Sequence, residues 1–146
     1  MNRNDLVKRV RIITRDLTES IFRENDIVDF INEGIERFAQ VIPEMESIKT
    51  LSTATSNVTL IPRAYQHLLA VYAASRCFAQ DERHYQATTL MNEFEVKVDE
   101  LKQKIENGAI TIIGEDGLPI TASNVIDYVD LRPYWNVRSI DEDEGV

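Results

Sequence analysis

The chain is short of the residues that most often carry chemistry. It has one cysteine, Cys77, so it can form neither an internal disulfide nor a multi-thiolate metal site. Its two histidines, His67 and His84, lie 17 residues apart, and neither falls in a His-x-x-x-His or Glu-x-x-His pair that grips a metal from one helix. The five glycines are scattered at 34, 108, 114, 117 and 145, so there is no glycine-rich phosphate loop, and Gly-x-Ser-x-Gly is absent. The uncharged stretch from Ala64 to Ser75 falls well short of the roughly 20 apolar residues of a membrane span. The opening Met1-Asn2-Arg3-Asn4-Asp5 lacks the apolar run of a signal peptide. These absences exclude a membrane span, a disulfide scaffold and a zinc finger, and they predict no metal or cofactor.

What is there is ordinary globular material. The 146 residues are one domain's worth, 43% hydrophobic and 28% charged. The net charge of −9 is uneven: residues 1–40 carry −1, residues 41–107 carry −2, and residues 108–146 carry −6. A nearly neutral body with an acidic arm argues against a chain-wide nucleic-acid surface, which needs a basic stripe.

Periodicity places four helices in the body, residues 1–107. The first spans about Asp5 to Leu17, capped by Asn4 or Asp5, with Leu6, Val10, Ile13 and Leu17 on one stripe. Lys8, Arg11 and Arg15 fall on the opposite side as a basic ridge. The second helix starts at Asn25 or Asp26, carries Ile27, Phe30, Ile31, Gly34, Ile35 and Phe38 on one face, and stops at Pro43. Gly34 inside that stripe costs about 1 kcal/mol of helix propensity, so it predicts close approach of a neighbouring helix. Residues 46–61 are rich in β-branched and hydroxylated side chains and predict an inserted β-hairpin. Pro62 opens a third helix to about Gln80, apolar nearly all round and therefore central, with Arg76 the one permanent charge from Ala64 to Gln80. The fourth runs from Asp81 to Asn107-Gly108, its outer face loaded with Glu93, Glu95, Lys97, Asp99, Lys102 and Lys104.

Residues 108–146 read as an extended acidic arm. Short β segments at Ala109–Ile113 and Leu118–Thr121 flank the turn Gly114-Glu115-Asp116-Gly117. Beyond them, Leu131, Arg132, Tyr134, Trp135 and Val137 crowd into one short run. Aromatics and arginine dominate interface hot spots, so these five are candidate docking residues. Such an arm either folds back on its own helices or anchors to another chain. The fold class is mainly α: a four-helix body, one inserted hairpin and an extended C-terminal arm.

Other candidates have plainer readings. Cys77 on the central helix is a small apolar filler, with no neighbouring base to make it a nucleophile. Glu44 and Glu46 are the one carboxylate pair near a chain break, the arrangement acid–base hydrolysis uses, yet two acids after a helix stop are ordinary loop residues. The Lys8, Arg11, Arg15 ridge could touch phosphates, but a solvated helix face has the same pattern, and Asp5, Asp16 and Glu19 dilute it.

Thr14-Arg15-Asp16, the stretch Asn25-Asp26-Ile27-Val28-Asp29-Phe30-Ile31-Asn32-Glu33-Gly34, the break at Pro43, and Leu60-Ile61-Pro62 before an apolar helix form an ordered pattern over residues 5–107. In this order the chain resembles the head-to-tail adaptor (connector) proteins of tailed bacteriophages. The resemblance implies a non-enzymatic virion protein, assembled in the bacterial host cytoplasm, that forms a dodecameric homo-oligomeric ring. Its partners would be the portal protein, a downstream tail protein, and double-stranded DNA sliding through the ring without sequence-specific contacts. It also implies that the arm reaches the portal through Leu131, Arg132, Tyr134, Trp135 and Val137. Lys8, Arg11, Arg15 and Arg76 become candidates for subunit or DNA-channel contacts. A nucleic-acid-associated packaging or regulatory protein using the basic ridge is the alternative.

Overall fold

In the computed structural model, residues 1–53 and 55–120 are described. Four helices make the body: α1 (Arg3–Thr14), α2 (Glu24–Val41), α3 (Leu68–Gln80) and α4 (His84–Glu106). A two-stranded antiparallel hairpin follows, β1 (Ile112–Ile113) and β2 (Pro119–Ile120), with Ile112 opposite Ile120. The protein is thus mainly helical with one small hairpin. The candidate docking residues Leu131, Arg132, Tyr134, Trp135 and Val137 lie outside the described residues.

Helix α1 starts earlier than its apolar stripe requires, because Asn2 and Asp5 form a capping box. The Asn2 side chain accepts the Asp5 N–H at 2.9 Å, and the Asp5 carboxylate accepts the Asn2 N–H at 3.2 Å. The helix ends at Thr14, not at Leu17, because Arg15 turns left-handed at φ 59°. Leu17 is therefore off the helix and 72% exposed instead of in the core. Helix α2 begins at Glu24, one or two residues before the predicted cap at Asn25 or Asp26. Glu24 and Asp26 sit in its first turn, where the positive end of the helix dipole favours them. Helix α4 begins at His84 because Glu82 takes a left-handed φ of 59°.

Helix α3 is the hub, packing against α1, α2 and α4. Leu68, Leu69, Ala70, Ala73, Ala74 and Cys77 on it are fully buried. The buried stripe of α4, Ala87, Phe94, Val98 and Leu101, closes one side. Phe94 meets Phe38 of α2 and Tyr72 of α3 edge-on, with ring centroids 5.5 and 5.0 Å apart. Gly34 lies at this junction: a Cβ there would sit 3.2 Å from Tyr72 Cδ1 and 3.3 Å from Leu69 Cδ2. The missing side chain lets α2 and α3 approach, as its place in the apolar stripe predicts.

The predicted hairpin at 46–61 does not form among the described residues. A 3₁₀ turn at Pro43–Met45 leads into irregular chain, whose one bridge is Asn57 to Asn2. The segment's polar groups are taken by other partners. The Asn32 side chain holds both the N–H of Leu51 (2.9 Å) and its carbonyl (3.2 Å). Ser56 accepts from the Arg3 N–H at 2.9 Å, and the Val58 N–H donates to Met1 at 3.2 Å. Leu51, Val58 and Ile61 are buried, so this strap closes the core over α2 and the start of α1. The hairpin that does form lies after α4, around the predicted Gly114–Gly117 turn. Gly117 supplies φ 79° there, and the Gly114 N–H bonds the Leu118 carbonyl at 2.9 Å. Buried Ile112 anchors it to the body.

Candidate interaction surfaces

The basic ridge of α1 is split by the way the helix ends. Once Arg15 has turned left-handed, Asp16 points inward and is 1% exposed. Its carboxylate accepts the backbone N–H groups of Ser20 (3.0 Å), Ile21 (3.2 Å) and Phe22 (3.0 Å), and Arg11 Nη1 at 2.9 Å. Arg11 also donates to the Phe22 carbonyl at 3.2 Å and is itself buried. Burial pushes the Asp16 carboxyl up, but the three N–H donors and Arg11 outweigh it and hold its pKa below the ordinary range. Arg11 is therefore engaged within its own chain, as a structural staple of the α1–α2 loop, and does not stand on the solvated ridge with Lys8 and Arg15; an apolar stripe on the opposite side does not reveal this.

Lys8 and Arg15 remain at the surface, as do their neighbours Arg9 and Arg23. None of the four makes an ion pair with another described residue. Three large apolar side chains are exposed among them: Ile12 (64%), Leu17 (72%) and Ile21 (55%). Sequence reasoning missed this surface, because Leu17 is assigned to the core as long as the helix is allowed to run through Asp16.

Arg76 is half-exposed and engaged within the chain. Its Nε lies 3.3 Å from Glu33, and its guanidinium stands 5.6 Å from the centre of the Phe30 ring. On the outer side of α4, Glu95 pairs with Arg37 of α2 at 3.2 Å. Glu100 draws in Lys97 (3.1 Å) and Lys104 (3.0 Å), and Lys104 donates to the Tyr65 hydroxyl at 2.9 Å. The Lys104 and Lys97 hydrogen bonds take the Glu100 pKa down to about 2. Glu95 and Lys104 thus tie α4 to its neighbours, while the Lys97 and Lys104 pairs with Glu100 lie within the helix itself.

The groups considered for catalysis are dispersed. Glu44 is buried on the 3₁₀ turn while Glu46 is exposed, and His67 and His84 sit on different helix starts. Cys77 is fully buried, and desolvation pushes its thiol up to about 12, which suits a packing residue. Among the described residues no three His, Cys, Asp or Glu side chains gather as a metal site, and no helix is long and apolar enough to cross a membrane. A shallow cleft of about 340 Å³ lies between the strap (Ser47, Lys49, Leu60) and the hairpin (Gly114, Glu115, Asp116, Ile120), but a Lys49–Glu115 ion pair already bridges it at 3.1 Å.

The chain matches no family model, and neither a curated protein nor a solved structure matches it.

Proposed function

We propose that the protein is a virion structural protein, a head-to-tail adaptor that forms a ring between the capsid portal and the tail and helps retain packaged DNA. The observation that carries this reading is the Asn25–Gly34 stretch, the most specific part of the resemblance. Its apolar residues form the buried face of α2, and Gly34 lets α3 approach within contact distance. Asn32 from the same stretch holds the strap at Leu51. The body is tied together by its own ion pairs, so it suits a wall segment of a ring. Its place is then the virion, its partners are further copies of itself, the portal protein and the next tail protein, and it performs no catalysis.

Lys8, Arg9, Arg15 and Arg23, exposed and without an ion-pair partner among the described residues, favour a second reading, a nucleic-acid-associated packaging or regulatory protein. One experiment separates the two. Tagged protein is captured from lysate of its native system, and the eluate is analysed by mass spectrometry and for nucleic acid. The adaptor reading expects portal or tail proteins in the eluate. Nucleic acid alone, lost when Lys8 and Arg15 are reversed to glutamate, overturns it in favour of the second reading.

A further inference from the structure

The end of α1 and the α1–α2 loop make a surface with an unusual combination of features. Ile12, Leu17 and Ile21 are more than half exposed within ten residues of chain, among four cations that have no described partner. Single exposed apolar side chains are common, but several on one short stretch with a charged rim mark a docking surface. Here the exposed acids Asp5, Glu19 and Glu24 stand beside the four cations, which outnumber them. The loop that presents them is also pre-organised. Asp16 clamps three consecutive N–H groups and Arg11, so little ordering remains to oppose binding there.

The chain carries a segment of matching character. Residues 131–144 hold Leu131, Tyr134, Trp135, Val137 and Ile140, and then Asp141-Glu142-Asp143-Glu144, four acids in succession. Apolar side chains answer Ile12, Leu17 and Ile21, and the acidic run answers Lys8, Arg9, Arg15 and Arg23. The reach is sufficient. Ile120 lies beside Ser47, Lys49 and Leu60, on the strap that pairs through Asn57 with the start of α1. From Asn2 to Ile12 is about 15 Å along the helix at 1.5 Å per residue. Residues 121–130 span up to about 33–36 Å when extended. Tethering also gives the segment an effective concentration of order millimolar, which another copy in dilute solution does not reach.

We propose that the net cationic, apolar surface formed by α1 and the α1–α2 loop is the docking site of residues 131–144 of the same chain. This does not rest on the adaptor reading, since it concerns the isolated protein.

Trp135 is the only tryptophan, so the full chain reports on itself. The docked segment gives a blue-shifted Trp135 emission, partly shielded from acrylamide, independent of protein concentration, and weakened by salt, which screens the charged rim. The double variant Leu17→Glu, Ile21→Glu changes only exposed side chains. It is expected to shift the emission to the red and raise quenching severalfold, with the far-ultraviolet circular dichroism unchanged. A second variant, Asp141→Asn, Glu142→Gln, Asp143→Asn, Glu144→Gln, leaves the whole body intact and is expected to move Trp135 the same way. Three results would overturn the proposal: wild-type Trp135 as accessible as in the guanidinium-unfolded chain, shielding that neither variant changes, or shielding that disappears on dilution. The last would assign the surface to a second copy.

Discussion

Replacing Asp16 with alanine removes four hydrogen bonds from one carboxylate, and the structure sets the scale of the loss. Arg11, buried, would keep only the Phe22 carbonyl at 3.2 Å and a distant Glu19 at 3.9 Å. Stranding one partner of a buried ion pair costs about 3–5 kcal/mol. Of the three N–H groups released, those of Ser20 and Ile21 belong to exposed residues and can turn to water, whereas that of Phe22 cannot and adds about 1–3 kcal/mol. These costs overlap, so the expected total is about 4–6 kcal/mol. At about 3 °C per kcal/mol for a chain of this size, the melting temperature falls by about 12–18 °C. Arg11→Met is the contrasting variant: it removes the cation but leaves Asp16 its three N–H donors, so about 1–3 kcal/mol is expected. Urea and thermal melts followed by far-ultraviolet circular dichroism measure both. The reasoning fails if Asp16→Ala costs less than Arg11→Met, or if both stay within about 1 kcal/mol of wild type. The pH profile tests the same site. The folded carboxyl is held below its unfolded value of about 3.9, so its contribution is fully present above that pH and is lost as pH falls through the folded pKa. Wild type should therefore lose stability more steeply below pH about 4 than Asp16→Asn.

Gly34→Ala sets a helix-propensity gain of about 1 kcal/mol against the 3.2 Å approach of Tyr72, and should leave stability within about 1 kcal/mol of wild type. Gly34→Leu drives further atoms into the Tyr72–Phe94 contact and should destabilise by about 1–3 kcal/mol or more in the same melts; a neutral result would mean that α2 and α3 do not approach there. Cys77, buried and with its thiol pushed up to about 12, should resist a thiol-directed reagent in the native protein and react at once in guanidinium. Rapid native labelling would refute its placement in the core.

The helical framework was legible in the sequence because burial on one face leaves a 3.6-residue period. Ile27, Ile31, Gly34, Ile35 and Phe38 follow it and are all buried, and the stop at Asn107-Gly108 falls where the chain turns. The strap was not legible. Its β-branched residues fit a hairpin, but the partners that decide its shape are Asn32 on α2 and the first residues of α1, neither of them adjacent in sequence. Local propensity states what a segment tolerates, whereas a side chain that captures its backbone groups states what it does.

The α1 surface gives the same lesson at the scale of one residue. Lys8, Arg11 and Arg15 share a side of an ideal helical wheel, yet only Lys8 and Arg15 reach solvent. The wheel holds only while the helix continues, and it stops between Thr14 and Asp16. The Arg15-Asp16 step is the signal that could have shown this. A left-handed residue turns the chain, and a short acid just after it can accept the loop's free N–H groups and attract the nearest cation one helical turn back. That one turn buries a charge the ridge would have used and exposes Leu17, which the core would have used. The surface around the end of α1 changes from a basic strip into one that mixes exposed apolar side chains with charges of both signs, four cations beside Asp5, Glu19 and Glu24. It suits a partner with apolar side chains better than phosphates alone.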